Sequence, residues 1–144
     1  MKIEAYKSFG PVKFGMSETE VVNQLGKPVS IRTNNENELE YYYDELIVRY
    51  DANSKHVREG TLLPQILGRF QVNDLTLNWK DDLFATLCQR DGDPYEFYGY
   101  IVLFKLGITL TGFHDGDDSQ KAISAFRSGD WDQLKGDMKA FKSL

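Results

Sequence analysis

Residues 10–28 read GPVKFGMSETEVVNQLGKP, and this stretch predicts a capped α-helix. The hydroxyl of Ser17 can accept a hydrogen bond from the unpaired amides of a first helical turn, and Glu20, three residues further on, completes a capping box. Gly26 suits the left-handed position just past a helix end, and Pro28 prevents the helix from continuing. We therefore expect a helix that begins after Ser17 and ends before Gly26.

The apolar residues of the same stretch predict which side of it is buried. Val12 and Phe14 alternate with polar neighbours, which is typical of a short strand with one buried face. Val21, Val22 and Leu25 fall on one stripe of the helix. The strand and the helix are therefore expected to pack on a common core.

A β-hairpin is predicted after the polar loop that follows the helix. Leu39–Tyr43 and Leu46–Tyr50 are rich in the aromatic and β-branched residues that favour strands. Asp44 and Glu45 lie between them and predict a tight turn.

The same order of elements recurs about 62 residues later. An entry strand is predicted at 72–77, and Asp81 with Asp82 favours a helix start, because acids interact well with the positive end of a helix dipole. Tyr98–Phe104 and Leu106–Phe113 predict a second hairpin. The matching apolar stripe of the second helix consists of Leu83, Phe84 and Leu87.

Two further helices are predicted at the C-terminal end. The first is expected to run to Phe126, and its candidate caps are Asp117, Asp118 and Ser119. Gly129 would end that helix, and Asp130 can cap a second one over Trp131–Phe141. Both helices are expected to close the core.

The complete expectation is an α+β fold in one domain over residues 1–144. Two tandem helix-plus-β-hairpin units, at about 10–62 and 72–115, would form an antiparallel sheet packed on helices. A helical C-terminal segment at 117–144 would complete the fold.

The stretch from Gly10 to Pro28 resembles the opening of the BamE/SmpA-like superfamily, in which a short strand, a GMS motif, a helix and an LGxP motif lead into a hairpin. GMS stands at 15–17 and LGKP at 25–28, whereas the second unit lacks both motifs. A tandem pair of such units is similar to the β-lactamase inhibitory protein, and small bacterial toxin-immunity proteins are similar too. The resemblance implies an immunity or inhibitor protein that binds and neutralises a cognate bacterial toxin.

Composition limits the classes of partner. A net charge of −5 disfavours binding to the phosphate backbone of nucleic acids. The chain lacks an apolar run of the roughly 20 residues that cross a bilayer, its first residues do not read as a signal peptide, and Cys88 is the single cysteine. We therefore expect a cytoplasmic protein with neither a nucleic-acid nor a membrane partner.

No residue set in the sequence predicts catalysis. His56 and His114 have no second ligand at metal-binding spacing, and Cys88 has no base at readable spacing. The DGD motifs at 91–93 and 115–117 fail the calcium-loop pattern, because a hydrophobic residue stands at the twelfth place of each. Phosphate loops and serine elbows are absent as well. The expectation is a protein that is not an enzyme and that uses no cofactor or metal.

The two hairpins are the predicted binding surface. Alternation along the first hairpin places Glu38, Glu40 and Tyr42 on one face of the sheet. Carboxylates beside tyrosines suit a cationic protein partner, such as the basic active site of a toxin. The alternative that stays open is a small-ligand-binding or scaffold protein without catalytic activity. The complete set of predicted partner-binding residues is Glu38, Glu40, Tyr42, Asp91, Asp93, Tyr95 and Asp115.

Overall fold

The computed structural model of the chain describes residues 1–64, 69–79 and 82–142. Within these residues the chain is mainly β, with 14 strands in two sheets and about 19% helix. The helices are α1 (Glu18–Leu25), α2 (Leu83–Asp91) and two short 3-10 helices (Asp118–Gln120 and Asp132–Asp137). The strands are β1 (Lys2–Glu4), β2 (Ser8–Phe9), β3 (Val12–Lys13), β4 (Ser30–Thr33), β5 (Leu39–Tyr42), β6 (Leu46–Tyr50), β7 (Val57–Leu62), β8 (Phe70–Val72), β9 (Leu75–Leu77), β10 (Tyr95–Phe97), β11 (Tyr100–Leu103), β12 (Ile108–Thr111), β13 (Ala122–Phe126) and β14 (Lys139–Ala140).

The strands form a smaller and a larger sheet. The smaller sheet has the order β3-β2-β1-β8-β9, and its β1 and β8 run parallel. The larger sheet has the order β14-β10-β11-β12-β13-β7-β6-β5-β4, and its neighbours are antiparallel. It therefore consists of two four-stranded meanders, β4–β7 and β10–β13, which join through their last strands, and of the short strand β14 beside β10.

The helix and the hairpin predicted in the first half are confirmed. The Ser17 hydroxyl accepts from the Glu20 amide at 3.2 Å, and the Glu20 carboxylate accepts from the Ser17 amide, also at 3.2 Å. Gly26 ends α1 as predicted, but with φ of +81° and ψ of −170° it is not in the left-handed helical conformation. β5 and β6 pair as the predicted antiparallel hairpin. Asp81, one of the two acids expected at the start of α2 in the second half, lies outside the described residues.

The predicted α+β fold, with a sheet packed on helices and with C-terminal helices, is wrong. Residues Ala122–Phe126 are not a helix but the strand β13, in the middle of the larger sheet between β12 and β7. Their side chains follow a period of two, and Ile123 and Ala125 enter the core. The stretch Trp131–Phe141 forms only a 3-10 helix and the two-residue β14. A mainly β chain with few helices also contradicts the BamE-like expectation.

The larger sheet has two different faces. One face packs into a core that joins both sheets and both α-helices, through residues such as Phe9, Val21, Val48 and Leu87. The opposite face is outlined by the row Tyr95–Val102–Thr109–Ser124–Thr61–Ile47–Tyr42, in which each residue is the register partner of the next. This second face carries the candidate site.

Candidate functional site

A cleft of about 530 Å³ lies on the second face of the larger sheet. It is lined by Asn34 and Asn35 of the β4–β5 loop on one side and by Phe97 and Tyr100 on the other. If the sheet were flat, β5 and β10 would be about 29 Å apart, because six strand spacings of about 4.8 Å separate them. One cleft nevertheless borders both the β4–β5 loop and the β10–β11 hairpin, and we call this face of the sheet the concave face.

The floor of the cleft is charged. Arg49, near the end of β6, stands between Glu40 of β5 and Glu59 of β7 in the strand register. Its Nε donates to Glu40 Oε2 at 2.6 Å, and its Nη1 donates to Glu59 Oε1. Glu59 is only 8% exposed. Burial raises the pKa of the Glu59 carboxyl, and the neighbouring guanidinium groups only partly oppose this effect.

Arg58 extends this floor towards the β4–β5 loop. Its Nε and Nη2 donate to the two carboxylate oxygens of Glu38, the second at 3.1 Å. Its Nη1 lies 3.3 Å from Asp130 Oδ2 and 3.6 Å from Glu59 Oε2. Burial alone would raise the pKa of Glu38, but hydrogen bonds from Arg58 and Asn34 hold it below its ordinary value.

Arg127 closes the network beyond the end of β13. Its Nη2 donates to Asp130 Oδ1 at 3.0 Å and to Asp51 Oδ2 at 2.8 Å. The amides of Ser54 and Asn53 donate to Asp51 Oδ1. The amide of Ser54, the Arg127 guanidinium and the amide of Asn53 together hold the pKa of Asp51 well below its ordinary value.

The ion-pair network as a whole is acidic. We use this name for eight side chains: Arg49, Arg58, Arg127, Glu38, Glu40, Glu59, Asp51 and Asp130. Three cations face five carboxylates, so the formal charge is −2 when all groups are ionised. Each guanidinium is already bound by at least two carboxylates, and the excess potential in the cleft is therefore negative.

The opposite wall of the cleft is aromatic. The chain folds back after β13, and the ring of Trp131 lies 5.3 Å from Tyr100, 6.1 Å from Phe126 and 6.4 Å from Phe97, measured between ring centroids. Tyr100 is 41% exposed, and Leu134 beside it is partly exposed. This wall offers ring faces and apolar area to a ligand in the cleft.

The tip of the β10–β11 hairpin stands next to this wall. Phe97 and Tyr100 are register partners, so Tyr98 and Gly99 form a two-residue turn. Both have positive φ, +46° and +86°, as a type I′ turn requires. A tyrosine in this region is strained, yet the Tyr98 side chain is 88% exposed.

Three of the predicted site residues lie at the β5 end of the concave face. Glu38 and Glu40 are both 6% exposed and are bound by arginines of the ion-pair network. Tyr42 is partly buried, and its ring lies 4.8 Å from the Arg32 guanidinium carbon. The two carboxylates thus hold the floor together, and Glu38 also lines the cleft.

The other four predicted residues lie away from this end. Asp91 is 1% exposed and accepts from the amides of Lys105 and Leu106 at 2.9 and 3.2 Å. Asp93 is exposed, and Asp115 lines a separate shallow depression beside Tyr98. Tyr95 lies on the concave face at the opposite end of the sheet row from Tyr42. The seven residues therefore do not form one patch.

Sequence reasoning missed the arginines and Trp131. Arg49 interrupts the apolar strand LIVRY, and a charge inside such a strand is itself a signal, because a buried guanidinium requires carboxylate partners. The role of Trp131 had no comparable signal, since it depends on how the chain folds back after β13.

The side chains considered for catalysis are separate from the cleft. His56 is exposed in a loop, and His114 Nε2 lies 3.3 Å from Glu96 Oε2 beside the ring of Phe84. Burial, with a smaller effect of Asp91, raises the pKa of the Cys88 thiol to about 11, so this thiol is protonated at neutral pH. Among residues 1–64, 69–79 and 82–142, no three His, Cys, Asp or Glu side chains are grouped to hold a metal ion.

Comparisons with known proteins found no match to a family model, a curated protein or a solved structure. In the part of the chain that the structure describes, neither α-helix has the length and apolar character needed to span a membrane.

Proposed function

We propose that the chain is a non-catalytic protein-binding module whose concave cleft receives a basic segment of a protein partner. The observation that carries this proposal is the pairing of an acidic floor with an aromatic wall. The ion-pair network has a formal charge of −2 although each of its guanidinium groups is already bound by carboxylates. Tyr100 and Trp131 face the network across the cleft.

A lysine or arginine side chain suits both surfaces at once. Its charge is attracted by the excess carboxylates, and its cationic head can lie over an aromatic ring, an interaction of about 0.5–2 kcal/mol. Glu36 at the rim is exposed and adds a further negative charge. The net charge of −5 would steer a basic partner towards the chain over longer distances.

The narrower form of the proposal is that the partner is a toxin that the chain neutralises. A cleft that holds a basic segment beside the toxin's active site keeps the substrate out without any chemistry of its own. The paired floor of the cleft supports such a role, because a surface already ordered before binding loses less conformational entropy than a flexible one.

A small-ligand-binding role is the second candidate. The cleft volume of about 530 Å³ lies within the range of about 300–1,000 Å³ typical of small-molecule sites. Native mass spectrometry of the purified protein discriminates between the protein-binding role and the small-ligand-binding role. A bound mass of a few hundred daltons that is lost in Tyr100→Ala favours the ligand role.

Affinity capture with matched variants tests the protein-binding proposal. The tagged chain, Glu36→Lys and Glu45→Lys are used as baits in an extract of the native cell, and Kd is then measured with the purified partner. Glu45 is an exposed acid in the β5–β6 turn and lies outside the cleft lining. We expect Glu36→Lys to weaken binding about 10-fold or more and Glu45→Lys to leave it nearly unchanged. Equal binding by all three baits would refute the cleft as the binding surface.

A further inference from the structure

The segment between β13 and β14 crosses the aromatic wall of the cleft. Residues 132–137 are all exposed, whereas Trp131 and Met138 at the two ends are partly buried. Within the described residues the backbone hydrogen bonds of 131–138 are local, as from the Leu134 amide to the Trp131 carbonyl at 3.1 Å. We call residues 131–138 the strap, because its side chains, and not its backbone hydrogen bonds, attach it to the sheet.

The side chain of Lys135 holds the middle of the strap against two rings. Its Nζ lies 5.3 Å from the centroid of the Tyr95 ring and 4.9 Å from that of the Phe104 ring. Both distances are within the roughly 6 Å over which a cation and a ring face attract each other. Among the described residues, no carboxylate forms an ion pair with this ammonium group. The two rings are therefore the partners of the Lys135 charge.

Open space lies on both sides of the strap. Trp131 and Leu134 line the cleft of about 530 Å³, whereas Asp137 lines a hollow of about 870 Å³. Phe97 lines both spaces, so the cleft and the hollow follow the same row of rings. A segment that extends out of the cleft past Leu134 therefore meets Lys135, the next residue of the strap.

We propose that the rings of Tyr95 and Phe104 form a subsite for a cationic side chain of the partner's basic segment, and that Lys135 fills this subsite in the free chain. This inference rests on the proposed function, because it takes the basic segment as the ligand. The present occupant defines the chemistry of that ligand, since an ammonium group already lies over both rings. Lys135 is exposed, so its side chain can rotate into solvent without disturbing the core. The chain thus contains an internal competitor for its own ligand.

The position of the subsite sets the spacing of charges in the segment. Trp131, at the cleft, and Lys135 are separated by about 8 Å, because four residues of a 3-10 helix rise about 2.0 Å each. In an extended segment, side chains on the same side are about 6.6 Å apart, two residues along the chain. The flexible stem of a lysine covers the difference. Two basic residues with one residue between them therefore fit the site, one over the acidic floor and one in the subsite.

The peptide acetyl-Lys-Ala-Lys-amide is the probe that tests this proposal. Its Kd is measured by NMR titration of the Trp131 indole group, at peptide concentrations up to about 20 mM. Lys135→Gln should bind the peptide about 5-fold more tightly than the wild type, because the internal competitor is removed. Lys135→Arg keeps a cation over the rings and should bind it like the wild type.

Two further variants separate the subsite from a simple change of charge. Lys139→Gln removes the same charge from an exposed lysine just beyond the strap, and it should leave the Kd nearly unchanged. Tyr95→Leu/Lys135→Gln lacks one ring of the subsite and should bind no more tightly than the wild type. An unchanged Kd in Lys135→Gln would overturn the proposal. An equal gain in Lys139→Gln, or a gain that persists without the Tyr95 ring, would overturn it as well.

Glu36→Lys distinguishes a failure of this inference from a failure of the proposed function. Weaker peptide binding by Glu36→Lys, together with no effect of Lys135→Gln, would keep the cleft and refute the subsite. A gain in Lys135→Gln with no effect of Glu36→Lys would keep the subsite and refute the cleft. The absence of binding by all of these chains up to about 20 mM would refute both.

Discussion

The ring of Phe9 occupies the space in which a side chain at residue 60 would lie. Phe9 belongs to the smaller sheet and Gly60 to β7 of the larger sheet, and a Cβ added to Gly60 would overlap three carbon atoms of the ring. Phe9 is completely buried. The absence of a side chain at residue 60 therefore sets how closely the two sheets approach.

Gly60→Ala should destabilise the fold by about 1–3 kcal/mol, because the added methyl group has no space unless the sheets separate. The free energy of unfolding in urea measures this cost. Phe9→Leu alone should also destabilise the chain, but the double variant Phe9→Leu/Gly60→Ala should lose less than the sum of the two. Strict additivity would show that the two residues do not compete for the same space.

Arg49→Met should cost about 3–5 kcal/mol at neutral pH, because buried Glu40 loses its guanidinium partner and buried Glu59 keeps only the longer contact with Arg58, at 3.6 Å. The control is Arg90→Met, since Arg90 pairs with Asp74 at the surface and should cost about 1 kcal/mol or less. The triple variant Glu40→Gln/Arg49→Met/Glu59→Gln should recover most of the loss. Continued instability of that variant would mean that the guanidinium has packing roles beyond charge.

The cost of Arg49→Met should also shrink as the pH falls from 7 to 5. The pKa of Glu59 is already raised in the folded chain, so the folded state holds this proton more tightly than the unfolded state. Removal of Arg49 raises that pKa further, and protonation then removes the buried charge. Urea unfolding of the wild type and the variant at both pH values measures the difference.

Asp91→Ala should destabilise the chain by about 2–3 kcal/mol, since three amides lose their acceptor. Those amides belong to Lys105, Leu106 and Asp93, at 2.9, 3.2 and 3.2 Å. Asp91→Asn keeps one acceptor oxygen and should fall between the wild type and the alanine variant. Asp93→Ala, at an exposed position, should change the unfolding free energy by less than about 0.5 kcal/mol. A smaller loss of unfolding free energy for Asp91→Ala than for Asp93→Ala would contradict this role of Asp91.

Asp51 should contribute stability that depends on pH. Its pKa is lowered in the folded chain, so its contribution is complete above its unfolded pKa near 3.8 and is lost as the pH falls below that value. Asp51→Asn should therefore reduce stability by about 1 kcal/mol at pH 7, a small effect because the pair with Arg127 is partly solvated. The stability of the Asp51→Asn variant should also vary less with pH below 5 than that of the wild type. Glu45→Gln serves as the matched loss of an exposed acid.

Tyr98→Asn should stabilise the fold and weaken partner binding at once. Asn-Gly is the favoured pair in a type I′ turn, so the substitution relieves strain of about 0.5–1 kcal/mol in the Tyr98-Gly99 turn. It also removes an aromatic ring that is 88% exposed beside the cleft. Tyr98→Ala keeps the strain and loses the ring, which separates the two effects. Thermal unfolding and the Kd for the captured partner are the two measurements.

Local signals explain why α1 and the first hairpin were predicted well. Ser17, Glu20 and Gly26 make their contacts within a few residues, so the sequence around them contains the whole interaction. The alternation of Glu38, Glu40 and Tyr42 with apolar neighbours likewise predicts the two faces of β5 without any distant partner.

Distant contacts explain the errors. The sequence AISAF at 122–126 allows a helix or a strand, and the open edge of β7, about 60 residues earlier, decides for a strand. Similarly, the pairing of Glu38 with Arg58 and of Glu40 with Arg49 depends on neighbouring strands. Patterns in β5 alone could therefore nominate the carboxylates but not show that arginines already hold them.

The joining of the two meanders through β7 and β13 has a consequence for synthesis on the ribosome. After Leu62 is made, 64 further residues are added before β13 is complete at Phe126. At the usual rate of translation this takes about 3–13 s. If the first meander folds as it emerges, its last strand, β7, has no outer neighbour during that interval. The outer edge of the first meander is paired only after the second meander is made. A chaperone that shields open strands would bind the chain during this interval.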